Sequence, residues 1–283
     1  MASAPVAVAL VAAAVLAWLL LGPWLRRRRR AALLAEPLAD ARREIIDRNV
    51  PVVQHLPAGP RRRLESLVSA FLAEKEFVGC NGFVVTEEVR CTIAALACLL
   101  VLGRRGHYDE LHSILVYPTA FWVEDEVEDE SGVVTRRRRE LSGEAWDSSR
   151  IILSWDDIAG TAACPGEGYN VALHEFAHYL DAEGGGPALP PRAGEPADGN
   201  WADAMADEYT AFCRGVDADR ETFLDPYAAE DEAEFFAVAS EEVFERPDRF
   251  RAEEPRLYAL MQRYYGVDPA AWLPTGTLVR APS

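Results

Sequence analysis

Apolar and polar positions recur along this chain with periods that change from segment to segment, and the changes outline its elements. Between Val171 and Asp181, Leu173, Phe176, Ala177 and Leu180 fall at i, i+3, i+4 and i+7, the stripe of a helix with one buried face. Phe235, Ala239 and Val243 repeat in the same way, with Asp231 placed as a helix N-cap. Helical patterns also predict Arg61–Glu74, Thr86–Leu102 and Trp201–Arg214. Ser113–Tyr117, the stretch near Val133–Arg138 and Ile151–Trp155 read as strands. The acidic stretch Glu124–Glu130 reads as a loop, and the Arg136–Arg139 cluster as a hairpin flank. Gly184–Gly199 is rich in Gly and Pro without a period, so it reads as a connecting loop and a candidate rim or lid. Many helices and few strands predict an α+β domain, mainly helical, with a small sheet beside the helix at 171–181.

The polar face of that helix carries the chemistry. His174 and His178 lie one turn apart on one face, where they can share a cation. Glu175 adjoins the first of them, placed to act on a water that the cation activates. A two-His site needs a third protein ligand, commonly a carboxylate from a following helix. The helix capped by Asp231 offers two, Glu234 and Glu241. Glu234 borders the apolar run at 235–238 and so needs a partner for its charge, whereas Glu230 and Glu232 belong to a solvated cluster. A metzincin would need Gly at 181 and His at 184, but the chain has Asp181 and Gly184. His55, His107 and His112 all lie well upstream. Asp181, one turn beyond His178, either orients a ligand histidine or is simply solvated near the helix end.

The segment His174–Asp181, followed by Tyr227–Glu241, resembles the Mlc titration factor A family of bacterial zinc peptidases. The same two segments are similar to the catalytic domain of anthrax lethal factor, which also has a Tyr seven residues before its ligand Glu. Phe71–Phe77, Ile93–Cys98 and Ile151–Trp155 match too, so the resemblance runs from about residue 45 to about 272. It implies a zincin-like peptidase of the gluzincin class. The implied roles are His174, His178 and Glu234 as ligands of one zinc, Glu175 as general base and Tyr227 near the reacting carbonyl. It also implies an alternative role, the binding of a transcriptional repressor. A strand close to the metal, with Leu141–Trp146 as a candidate, would pair with an extended peptide substrate.

Outside this domain the pattern changes. The first 25 residues carry no charge, and Arg26–Arg30 follow directly. That length and order read as a single transmembrane helix rather than a cleaved signal peptide, with the arginines and the catalytic domain on the cytoplasmic side of the inner membrane. Residues 26–63 read as a basic juxtamembrane helix and linker, 64–272 as the peptidase domain and 273–283 as a tail. Residues 1–63 hold 11 Arg against 4 acids, and the remainder 18 Lys and Arg against 42 acids, within a net charge of −17. So acidic a domain argues against nucleic-acid binding. The 5 cysteines are scattered, without a C-x-x-C pair, which favours a reducing compartment.

Overall fold

The apolar strands come together in one small sheet, and the metal-bearing helix lies beside it. The computed structural model describes residues 30–35, 37–104, 108–119, 121–128, 134–141, 143–147, 149–163, 166–184 and 201–272, with residues 21 and 28. Strands β1 (Glu76–Gly79), β2 (Ser113–Tyr117) and β6 (Arg150–Ser154) run parallel. β5 (Gly143–Asp147) adds to β6 in the antiparallel sense, giving the order β1-β2-β6-β5. β2 alternates between buried and half-buried positions, whereas β6 is buried from Ile151 to Ser154. Parallel neighbours need a crossover, and helix α3 (Glu87–Leu100) supplies it between β1 and β2. Every residue of α3 from Cys91 onward is buried, and Thr86 caps its start by accepting from the Val89 N–H.

The other helices are α1 (Asp40–Asn49), α2 (Ala58–Glu74), α4 (Trp155–Ala163), α5 (Val171–Gly184), α6 (Trp201–Asp217), α7 (Glu232–Glu245), α8 (Pro247–Glu253) and α9 (Pro255–Tyr265). The molecule is thus α+β and mainly helical, as the pattern predicts. α5 buries the face bearing Leu173, Phe176, Ala177 and Leu180. Phe176 stands edge-on to Tyr108 at 5.2 Å and to Phe71 at 6.1 Å between ring centroids. Tyr108 is held by its hydroxyl, which donates to the Ala97 carbonyl at 2.7 Å. Below it, the buried Lys75 ammonium donates to the Tyr108 and Leu111 carbonyls. A buried phenylalanine contributes about 1.5–3 kcal/mol, so this aromatic block presses α5 against the core and leaves its histidine face open to α7. The end of α3 meets the end of α9 without side chains: a Cβ on Gly103 would collide with the Tyr265 and Gly266 carbonyls, and Gly266 closes α9 with φ +66°.

Two expectations change. The acidic stretch Glu124–Glu130 is not a loop over its first part: β3 (Phe121–Glu128) pairs antiparallel with β4 (Val134–Leu141). The register sets Glu124 opposite Arg138, Asp125 opposite Arg137 and Glu126 opposite Arg136. β4 covers the stretch near Val133–Arg138 that reads as a strand, whereas the acidic run of β3 hides any apolar alternation. In the segment read as juxtamembrane helix and linker, Leu38, Ile46, Val50, Val53 and Leu56 are buried in the same core as α3 and α5. The proline at 51 there starts a 3-10 turn, Pro51–His55, rather than an extended linker.

Other readings fall outside the described residues: the apolar run at 1–25 apart from Leu21, the loop after Gly184, Cys164 and the tail at 273–283. Among the described residues no helix is long and apolar enough to cross a membrane. Cys80, Cys91, Cys98 and Cys213 are free thiols.

Candidate metal centre

α5 and α7 pack along each other and bring the proposed metal-binding side chains to one place. His174 and His178 share the open face of α5 as the one-turn spacing requires, with their Nε2 atoms 3.0 Å apart. Asp231 starts α7 by accepting the Ala233 and Glu234 N–H groups, both at 2.8 Å. That cap sets Glu234 in the first turn, where its Oε2 lies 3.1 Å from His174 Nε2 and 3.5 Å from His178 Nε2. Among the described residues, these three side chains alone gather as a group of three or more that could hold a metal ion.

Two observations test whether the group suits zinc. Ligand atoms about 2.0–2.1 Å from a tetrahedral zinc stand about 3.3 Å from one another, close to the three separations found. Glu234 Oε2 is buried without a hydrogen-bond partner among the described residues, although it lies within ion-pair distance of His174 Nε2. Two imidazole nitrogens and an unsatisfied carboxylate oxygen around one point form the donor set zinc prefers. The fit is good.

The electrostatics follow from burial. His174 loses solvation, which opposes its charge, but the Glu234 and Glu241 carboxylates outweigh this and push its pKa up to about 10. Burial also pushes Glu234 up, but the two histidines prevail and hold it well below the usual carboxylate range. Glu175 is 8% exposed, and burial raises its carboxyl to about 7 against the lowering pull of His174 and His178. Asp181 is buried one turn beyond His178, and its carboxyl rises to about 6 through that burial, moderated by His178.

The remaining candidates separate. Glu241 is not among the converging atoms: its Oε1 lies 2.8 Å from His174 Nδ1, on the other side of the ring. Tyr227 sits on the 3-10 turn Pro226–Ala229 leading into α7, with 46% of its surface exposed. Pattern reading missed Asn170 and Glu245. Asn170 caps α5 by accepting the Leu173 N–H at 3.2 Å, and its position three residues before the apolar stripe was the available signal. Glu245 lies one turn beyond Glu241 and accepts from Asn170 Nδ2 at 2.9 Å.

Over residues 24–266 the chain matches the family described as glucose-regulated metallo-peptidase M90, and it belongs to that family. It is thus a member of a metallopeptidase family, with a His/Glu cluster suited to a metal ion. An uncharacterized protein of Synechocystis sp. is 36% identical over 249 residues, covering 87% of this chain and 90% of that protein. Mlc titration factor A of Klebsiella pneumoniae (strain 342) is 35% identical over 229 residues, covering 78% of this chain and 84% of the relative. Mlc titration factor A of Escherichia coli (strain SMS-3-5) is 34% identical over 229 residues with the same coverage.

Proposed function

We propose that this protein is a zinc-dependent peptidase in which His174, His178 and Glu234 hold one zinc and Glu175 is the general base. The observation that carries the reading is the convergence of three ligand atoms around a buried, unsatisfied Glu234 oxygen. A bound zinc would acidify a water and polarise the scissile carbonyl. Glu175, adjacent to His174 and raised to about 7, takes a proton on its carboxylate near neutral pH and returns it to the leaving amine. Tyr227 donates a hydrogen bond from its phenol hydroxyl to the developing oxyanion; its place seven residues before Glu234 supports this role. β5 is an edge strand of the sheet and packs on α5, which supports it as the strand along which an extended peptide lies.

The test is hydrolysis of a peptide library by the full-length chain, with and without a chelator. Metal-dependent cleavage is expected, and comparing blocked with unblocked amino termini separates endopeptidase from aminopeptidase action. No cleavage of any peptide by zinc-loaded protein would overturn the reading.

Metal uptake carries a pH dependence. In the metal-free site His174 is protonated below about 10, and it must lose that proton to ligate. Glu234, depressed and ionised, has none to lose. Between pH 9 and 7 zinc affinity is therefore expected to fall by roughly tenfold per unit of acidification. Calorimetry in buffers of different ionisation enthalpy should show about one proton released from His174 per zinc. A pH-independent affinity would contradict this.

A second reading is favoured by the name of the relatives, Mlc titration factor A. On this reading the chain is a tethered regulatory protein that sequesters a transcriptional repressor, with residual peptidase activity. Repressor capture by a chelated chain whose zinc-loaded form cleaves no peptide would establish it. For both readings we propose that the uncharged first 25 residues anchor the chain in the inner membrane, with Arg26–Arg30 and the catalytic domain in the cytoplasm. Protease protection tests the topology; digestion of the domain from outside intact cells would reject it.

A further inference from the structure

Glu241 and Glu245 stand one turn apart on α7 and both reach the segment that leads into α5. Glu245 accepts the Gly166 N–H at 2.8 Å through Oε2 and the Asn170 side-chain amide at 2.9 Å through Oε1. Glu241 accepts the Asn170 backbone N–H through Oε2, and its Oε1 faces His174 Nδ1 at 2.8 Å. Asn170 in turn caps α5. The loop between these bonds turns at Gly168, φ +86°, where the Arg246 guanidinium fills the place a Cβ would take. Arg246 is itself paired with Glu242. Glu241 is only 2% exposed. A buried carboxylate is costly unless its oxygens are satisfied, and here each oxygen meets a donor belonging to the start of α5.

We propose that Glu241 is a positioning residue of the metal centre, with Glu245 as its support; this rests on the zinc reading above. With Glu241 Oε1 placed to accept from His174 Nδ1, the nitrogen left to ligate zinc is Nε2, which faces Glu234. Seven residues span two helical turns, so Glu234 and Glu241 share a face of α7. One helix thereby supplies a metal ligand and the partner that orients another ligand. Asn170 and Glu245 hold α5 in register along it. Any slip of α7 on α5 moves both together.

The experiment is zinc affinity of the full-length chain carrying Glu241→Gln. Glutamine can accept one of the two N–H groups through its carbonyl but turns its own amide toward the other. The dissociation constant is expected to rise by about 10–100-fold, with one zinc per chain still bound at saturation. Glu245→Gln touches only the loop and should weaken binding by less than about tenfold. A Glu241→Gln affinity within about twofold of the parent overturns the proposal, since an outer partner acts more strongly than that. So does a Glu245→Gln effect as large as that of Glu241→Gln, which would reduce the pair to a loop clamp.

Nitrogen NMR of His174 in the zinc-loaded parent decides the matter even if a variant fails to fold. Protonated Nδ1 with metal-bound Nε2 is expected, and the reverse tautomer refutes the proposal alone. A parent that binds no zinc sinks the zinc reading itself, and this inference with it.

Discussion

Glu175→Gln is expected to lower peptide turnover by about 10² to 10⁴ while leaving zinc in place. The glutamine keeps nearly the same volume in a position that is 8% exposed, so α5 retains its packing. It removes a buried carboxyl beside the cluster that burial raises to about 7 and that is not assigned to the metal. A base tuned close to the working pH moves protons in both directions most efficiently, which makes its loss expensive. Tyr227→Phe should also keep zinc and cost about 10² to 10³ if the phenol serves the oxyanion. Turnover and zinc content are to be measured on the same preparation. Parental turnover in zinc-loaded Glu175→Gln would rule out its role as base.

The second large effect is on the metal itself. Glu234→Gln replaces the only carboxylate of the converging cluster by a neutral amide, and zinc affinity should fall by more than the roughly 10–100-fold expected when an outer partner is lost. His174 would also lose one of the two carboxylates that raise its pKa. Metal analysis after dialysis distinguishes the two acids of α7: Glu234→Gln is expected to emerge depleted, and Glu241→Gln to refill on titration. Retention of tight zinc by Glu234→Gln together with its loss from Glu241→Gln would invert the ligand assignment.

The sequence was most legible where one element carries two periodic faces. His174, His178 and the stripe Leu173, Phe176, Ala177 and Leu180 define a helix and its orientation at once, and α5 follows that reading. The Asp231 cap placed α7 correctly, because side-chain capping is local. β1 has only four residues, too few for a period to show, and becomes a strand by pairing with β2. β3 escaped because its acidic run hides any apolar period, whereas β4 overlaps the strand expected near Val133–Arg138. Glu241 was a rival ligand on sequence grounds since it shares a helix face with Glu234. Its place at Nδ1 rather than Nε2 depends on how deeply α7 packs against α5, a tertiary quantity. The bonds of Asn170 and Glu245 span 75 residues and were invisible for the same reason.

A zinc held by these ligands would occupy one point in space, between His174 Nε2, His178 Nε2 and Glu234 Oε2. Anomalous scattering at the zinc absorption edge, from crystals of the zinc-loaded full-length chain, locates the metal directly. A single peak ligated by those three atoms, with Glu241 still on His174 Nδ1, is the predicted result. A peak ligated by Glu241, or no peak at α5 in a crystal with zinc bound elsewhere, would contradict it.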